Sequence, residues 1–183
     1  MKIKLVATCL TAKQEQACAA LGVAVVYEYT KTFGDIVAGC VTDFSVHCFN
    51  SQALAVLKGM GVARATLHPE LNLAQIRDIA KCMDTEVVVY GKLPLMRLGS
   101  PIPGGTLRDR KGVGFFVQGE MLYNSVPIFM ADKLGEIEKA GVTHGRICFT
   151  TESAEEVQAV VKAYLYRKAW DGEFTRGKFY SKV

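Results

Sequence analysis

Two hydrophobic periods follow one another along the chain, one typical of strands and one typical of helices. Residues Lys2–Thr8 alternate polar and apolar side chains, and Val23–Tyr29 is a β-branched and aromatic run, so both are predicted strands. Between them, Thr11–Leu21 is rich in Ala, Gln, Glu and Lys, and Gly22 stands where helices commonly stop. The first thirty or so residues are therefore predicted to form one strand-helix-strand unit.

The same alternation continues through the rest of the chain. Further strands are predicted at Phe44–Cys48, Ala63–Leu67, Glu86–Tyr90 and Arg146–Phe149. Helix starts are predicted at Asn50 or Ser51, at Asn72 with Gln75 and at Ser153 with Glu156, and a further helix is predicted over Met130–Ala140. The Asn72 helix is expected to carry its apolar stripe as far as Met83.

Strands that alternate with helices indicate a parallel sheet with right-handed crossovers. Six predicted strands in 183 residues fall short of a full barrel, which uses eight strands and about 250 residues. We therefore expect residues 1–183 to form a single α/β domain of parallel strand-helix repeats, a small or incomplete TIM-barrel-like fold.

Residues 91–127 interrupt the rhythm, with four of the five prolines and only one short predicted strand, at Gly114–Gln118. A six-stranded sheet leaves apolar edges that are costly in water. Either this segment covers the edges, or a second copy or a longer partner chain completes the barrel, and of these we expect the homodimer.

Composition indicates a folded protein of the cytoplasm. No apolar run reaches the roughly 18 residues of a membrane span, and the N-terminal residues do not resemble a signal peptide. The six cysteines are scattered without a CxxC pair, which favours reduced, mostly buried thiols. The net charge is +4, and an excess of basic residues between Lys92 and Lys111 accounts for all of it. This basic segment predicts an anion-binding surface.

Standard catalytic and nucleotide-binding motifs are absent, and the three histidines are far apart in sequence, so we predict no metal site. Polar residues do cluster after predicted strands, where barrel active sites collect. The acid, base or polar groups that we consider as catalytic candidates are His68, Glu70, Tyr90 and Asp109.

Several short blocks resemble, in order, the peptidase U32 (collagenase-like protease) family. They are Phe49–Ser51, Thr66–Ile76, Val89–Met96, Asp109–Gly112, Asn124–Pro127, Ala131–Lys133 and Phe174–Gly177. Residues 43–183 carry the resemblance, whereas 1–42 match only loosely. The resemblance implies a barrel-like domain. Guanidinium forks suit phosphates, and the candidates for ligand or anion binding are Arg97, Arg108, Arg110, Lys111, Asn124 and Arg176.

Some members of the resembled family hydroxylate RNA bases or quinone precursors without oxygen, using a cysteine-bound iron-sulfur cluster. Where they have a Cys before a Pro-Ile pair, this chain has Ser100, and no Cys occurs between Met83 and Ile147. A cluster needs about four thiolates at one place. We therefore predict that this chain binds no iron-sulfur cluster and needs no other cofactor.

Three functions remain open at this point. The chain is a cluster-less RNA-binding or accessory module related to oxygen-independent RNA hydroxylation, with RNA or an anionic small molecule as its partner. Alternatively it is a hydrolase, as the family's protease label implies, although no nucleophile-base pair is evident. The third hypothesis is a structural half-barrel subunit.

Overall fold

The computed structural model describes residues 2–100 and 105–181. The strands are β1 Lys4–Thr8, β2 Ala24–Val25, β3 Val41–Thr42, β4 Arg64–Thr66, β5 Asp84–Gly91, β6 Pro94–Arg97, β7 Gly105–Arg108, β8 Gly114–Gln118, β9 Met121–Tyr123, β10 Ile128–Phe129 and β11 His144–Cys148. The α-helices are α1 Ala12–Ala19, α2 Ser51–Gly59, α3 Leu73–Asp78, α4 Leu134–Lys139 and α5 Ala154–Leu165. None of these helices is long and apolar enough to cross a membrane.

Six strands form one sheet in the order β2-β1-β11-β5-β4-β3, and every neighbouring pair on this path is parallel. Only β10 joins it antiparallel, at the end of β5. Buried apolar residues of α5, among them Val157, Val160 and Val161, belong to the same core as the strands. The predicted α/β architecture, parallel strand-helix repeats in a small or incomplete barrel, is confirmed.

One short segment connects the two edge strands of this sheet, β2 and β3. Ala24 and Val25 pair with β1, and the chain then runs on to Thr30, which bridges Thr42 of β3. The Thr30 N–H donates to Val41 O over 2.9 Å, and the Asp43 N–H donates to Thr30 O over 2.8 Å. The sheet is therefore curled, and residues 24–30 link its edges. The prediction instead had residues 91–127, a second copy or a longer partner chain cover these edges.

Residues 94–123 instead contain a second, antiparallel sheet in the order β6-β9-β8-β7. The predicted strand Gly114–Gln118 is confirmed, but three further strands flank it. A two-residue turn with Gly119 at φ +59° joins β8 to β9. Local hairpin pairing explains the difference, because antiparallel strands need only a tight turn and no crossover helix.

The predicted helix starts are confirmed where capping boxes are present, at Thr11, Asn72 and Ser153, and Asn50 is the cap of α2. The predicted extent of the Asn72 helix is wrong, because α3 ends at Asp78 and Ile79 is extended with ψ 125°. The ammonium group of Lys81 donates to the carbonyls of Ile76 and Ile79. These bonds satisfy carbonyls that a longer helix would have paired.

The predicted strand Phe44–Cys48 is also wrong. Phe44–Val46 is a turn of 3-10 helix, and His47 has a left-handed backbone with φ 59°. The extended residues lie just before it, in β3. Asp43 turns inward to an arginine of β11, and the chain bends there instead of continuing along the sheet.

A buried histidine makes the stability of this fold depend on pH. Burial, and then the charge of Arg64, lower the pKa of His144 from 6.5 to about 4. The Thr143 hydroxyl donates to Thr85 O over 2.8 Å, so in its 2.8 Å contact with His144 the ring nitrogen Nδ1 is the donor. The lowered pKa keeps the ring neutral at pH 7.

The unfolded chain therefore takes up this proton at a higher pH than the folded chain. We expect the free energy of unfolding to fall as the pH drops from 6.5 to 4, because protonation favours the unfolded state in that window. Urea unfolding of the wild type and of His144→Asn at several pH values measures this. The variant keeps a donor near the Nδ1 position and should lose less stability over the window; parallel pH profiles would contradict the assignment.

Candidate functional site

A cluster of charged side chains lies inside the curled sheet, where apolar residues would be expected. Glu86 is completely buried and Arg146 is only 3% exposed. Arg146 Nε lies 3.1 Å from Glu86 Oε1, and Arg146 Nη1 donates to Asp43 Oδ1 over 2.7 Å. On the other side of Glu86, Arg64 Nε lies 2.8 Å from Oε2. Two cations and two carboxylates thus balance each other in a site shielded from water.

Glu86 is the centre of this cluster. Besides the two arginines, its carboxylate accepts hydrogen bonds from the Tyr29 hydroxyl over 3.3 Å and the Thr66 hydroxyl over 3.1 Å. Burial and the Glu86 charge raise the pKa of Tyr29, which therefore stays a hydrogen-bond donor at neutral pH. Two hydroxyl donors and two adjacent guanidinium charges compensate a carboxylate that would otherwise be very costly to bury.

Aromatic rings enclose the Arg146 guanidinium. Its central carbon lies 4.2 Å from the ring centroid of Tyr29 and 5.4 Å from that of Phe44. Burial opposes the charged form, yet Cys148, Glu86 and Asp43 raise the pKa of Arg146. Its Nη2 atom is buried without a hydrogen-bond partner among the described residues. Its Nε atom likewise makes no hydrogen bond within the described chain, although it lies within ion-pair distance of Glu86.

The candidate His68 lies beside this cluster, after the end of β4. Its ring stacks on Phe49 at 4.2 Å and on His47 at 5.3 Å, and it meets the edge of Phe44 at 6.4 Å. Burial is the main reason that the pKa of His68 is lowered. The backbone N–H of Glu70 donates to His68 Nδ1 over 3.3 Å, which leaves the proton of the neutral ring on Nε2.

The other catalytic candidates lie apart from this ring cluster. Glu70 is exposed, and only its backbone approaches His68. Tyr90 is 4% exposed and its hydroxyl donates to Glu152 Oε1 over 3.2 Å. Burial and Glu152 raise the pKa of Tyr90. Asp109 Oδ1 accepts from the N–H groups of Lys111 and Val113, which closes the loop between β7 and β8.

Two predicted anion-binding arginines already have carboxylate partners. Arg97 donates to Glu120 from Nε and Nη2, over 3.0 and 2.8 Å. Arg176 donates to the Asp132 carboxylate from Nη1 and Nη2, over 2.6 and 2.9 Å, and Nη1 also donates to Phe129 O. Asn124 is half-buried, and its side-chain oxygen accepts from Ser125 N over 3.1 Å.

The remaining predicted cations share one exposed hairpin. Arg108, Arg110 and Lys111 are all exposed, and Arg108 Nη1 donates only to the carbonyl of Gly112, over 3.0 Å. No ion pair involves these three residues within the described chain. The hairpin is therefore a concentrated positive charge that faces solvent.

Aromatic rings lie on the same face of this second sheet. Thr106, Phe116 and Tyr123 are aligned across β7, β8 and β9, and Arg108 follows Thr106 by two residues, on the same side. The Phe116 and Tyr123 rings are 5.9 Å apart, and the Lys92 ammonium lies 5.2 Å from the Phe116 ring centroid. Burial and the neighbouring Cys148 raise the pKa of Tyr123, so this face adjoins the end of β11.

Sequence reasoning passed over the residues that build the buried cluster, namely Tyr29, Asp43, Arg64, Glu86 and Arg146. A signal was present in two of them, because Glu86 precedes an uninterrupted Val-Val-Val run and Arg146 stands in a strand that is otherwise small or apolar. Charged residues are almost never fully buried unless they are paired. The pairing itself joins residues as many as 103 positions apart, as in Asp43 and Arg146.

The described residues do not fit the iron-sulfur cluster that the resemblance implies. Ser100 is exposed beyond β6, and the following Pro101-Ile102 pair lies outside the described residues. Cys9 and Cys18 are close together, but no three Cys, His, Asp or Glu side chains within residues 2–100 and 105–181 converge as metal ligands would. We therefore assign no chemistry to such a group in this chain.

Comparison with known proteins finds a family similarity over part of the chain. Residues 38–114 match the family model of Peptidase family U32, whereas no curated protein and no solved structure shows significant similarity. The matched range contains the ring cluster at His68, the strand that carries Glu86 and most of the basic hairpin. The resembling blocks from Asn124 onward lie beyond it. Residues 38–114 are thus similar to part of a Peptidase family U32 domain.

Proposed function

We propose that this chain is a cytoplasmic RNA-binding or accessory module of the U32 family, acting in connection with oxygen-independent RNA hydroxylation. The observation that carries the proposal is the face of the second sheet, where Arg108 shares a side with the paired rings of Phe116 and Tyr123, and the adjoining loop adds the exposed cations Arg110 and Lys111. Guanidinium groups suit phosphates because they donate in a planar fork. Aromatic rings offer stacking surfaces to unpaired bases.

The charge distribution supports a single-stranded ligand. Arg97 and Arg176 are neutralised by carboxylates, so the free positive charge is concentrated at one end of the sheet instead of spread over a long duplex track. Lys92 lies over Phe116 and adds a cation next to the stacking surface. An RNA strand whose phosphates contact the hairpin would place its bases toward the rings of Phe116 and Tyr123.

A fluorescence anisotropy titration with a labelled single-stranded RNA tests the proposal. The triple variant Arg108→Ala, Arg110→Ala, Lys111→Ala should weaken binding at least about tenfold at low salt and reduce the salt slope by about 2, since each phosphate contact contributes about 0.7. A matched variant that replaces the exposed Lys13, Lys58 and Lys139 removes the same charge elsewhere and should bind nearly as well as the wild type.

A second variant separates stacking from charge. Phe116→Leu should weaken RNA binding while leaving the salt slope unchanged, because it removes a ring and no cation. If the hairpin variant and the lysine variant lost RNA affinity equally, net charge alone would explain the binding. Undiminished binding in both the hairpin variant and Phe116→Leu would exclude this face as the RNA site.

A further inference from the structure

Two cysteine thiols lie next to each other beyond the C-terminal end of β1. Cys9 follows β1 and is half-buried, whereas Cys18 lies in the last turn of α1 and is completely buried. Their Sγ atoms are 3.7 Å apart and share a hydrogen bond. The other cysteines have no such thiol contact among the described residues.

The backbone on both sides of this pair is held in place. The side chain of Gln14 accepts from the N–H groups of Leu10 and Thr11 and donates to the carbonyls of Thr150 and Glu152. Thr11 caps α1 through the N–H of Gln14. The start of the helix is thereby anchored to the loop after β11, and the two sulfur atoms are kept near each other.

We propose that Cys9 and Cys18 form a redox-active dithiol, which hydrogen peroxide converts into an intramolecular disulfide. The half-buried Cys9 sulfur attacks peroxide and loses its proton, so that it gains one oxygen as a sulfenic acid and the other oxygen leaves as water. The Cys18 sulfur then attacks the Cys9 sulfur, the S–S bond forms, and the second oxygen leaves as water. Two electrons pass from the thiols to the peroxide, which is the oxidant.

The geometry requires only a small rearrangement. A disulfide bond is about 2.05 Å long, so the sulfur atoms must approach by roughly 1.6 Å, which side-chain rotation and a slight shift of the Cys9 loop can provide. The shared hydrogen bond lowers the pKa of Cys18 and raises the pKa of Cys9, which favours Cys18 as the thiolate that attacks the oxidised Cys9 sulfur and closes the disulfide.

The bond would tie α1 to the end of β1, directly beside the parallel strand that bears Cys148. Thr8 and Cys148 are register partners, and Cys148 in turn lies near Arg146 and Tyr123. Oxidation therefore acts close to Arg146 of the buried charge cluster and to Tyr123 of the second sheet. It does not require that the site bind RNA.

Peptide mapping after peroxide treatment tests the dithiol. The full-length chain with Cys82→Ser, which removes the exposed thiol, is treated with hydrogen peroxide and then alkylated. We expect the intact mass to fall by about 2 Da, two thiols to be lost, and a Cys9–Cys18 linked peptide to appear that a reductant removes. Cys18→Ser in the same background should instead retain a sulfenic acid at Cys9, trapped by dimedone.

Several results would overturn the proposal. These are a Cys9–Cys148 link in place of Cys9–Cys18, oxidation of Cys40 ahead of the pair, or no loss of the two thiols in the folded wild type. Because mapping is carried out on the protein with both cysteines present, the test does not depend on whether the Cys18→Ser variant folds. RNA titrations of the reduced protein remain a separate test, so failure of either proposal leaves the other measurable.

Discussion

Replacing Glu86 with Gln is expected to lower the free energy of unfolding by about 3 kcal/mol, since removal of one partner from a buried charge cluster leaves the others uncompensated. The Glu86 carboxylate contacts Arg64 and Arg146 and accepts from two hydroxyl groups. An amide has the same shape, but it is neutral and offers an N–H group where a donor already points. Asp43 alone would then oppose two buried or half-buried guanidinium groups.

Urea unfolding followed by circular dichroism measures this loss. Glu28→Gln is the matched control, because Glu28 is exposed and makes no side-chain hydrogen bond or ion pair with the described residues, so its substitution should change stability by less than about 0.5 kcal/mol. If Glu86→Gln were as mild as the control, the interior would have to be hydrated, and the ion pairs would contribute little to the fold.

Gly91→Ala is expected to cost about 3 kcal/mol, because it adds backbone strain to a direct collision. Gly91 ends β5 with φ +126°, a conformation that side chains disfavour. A Cβ atom there would lie 2.4 Å from the carbonyl oxygen of Cys148 and 2.8 Å from its Cβ. The Cys148 backbone cannot move away without separating β5 from β11 near their ends.

The same urea measurement on two glycine variants separates strain from collision. Gly119→Ala also occupies a left-handed backbone, with φ +59°, but its Cβ would meet nothing within 4 Å. It should therefore cost only about 1 kcal/mol. Similar losses for Gly91→Ala and Gly119→Ala would mean that close packing of Gly91 on Cys148 does not matter. Because β6 starts three residues later, Gly91→Ala is also expected to displace the second sheet and weaken RNA binding.

The interior of the curled sheet differs from that of an ordinary apolar core. Its strands pack helices on the outside with Val, Ile, Leu and aromatic residues, while the inside carries arginines, carboxylates and threonines. Arg146 connects this interior to the ring cluster at its end, since Phe44 lies against both Arg146 and His68. These buried ion pairs favour one position of the strands relative to each other, because a shift of any strand would leave a buried charge without its partner.

Local patterns in the sequence determined most of the secondary structure. Capping boxes at Thr11, Asn72 and Ser153 depend on residues three positions apart, and the helices begin where those residues stand. The apolar run before Gly91 is long enough to indicate a strand covered on both faces, and β5 is that strand. The alternation of strands with helices was sufficient to predict the parallel, barrel-like architecture.

Side-chain roles were less predictable than elements, because a residue type does not reveal its partners. Tyr90 follows a strand as a catalytic residue would, yet its hydroxyl is engaged with Glu152. Asp109 resembles an acid-base group, yet it closes a hairpin. Of the predicted cations, Arg97 and Arg176 are distinguished from Arg110 only by carboxylates that lie 23 and 44 residues away in the sequence.

The sequence by itself thus determined the alternation of parallel strands with helices, most helix starts, the family resemblance and the basic segment, since each depends on neighbouring residues. Only the tertiary structure decided how residues 24–30 join both sheet edges, which charges are buried around Glu86, and that Cys9 meets Cys18. The reason is physical: pairing of distant groups is set by the curl of the sheet and by the need to satisfy buried charges, and neither is visible within a short window of sequence.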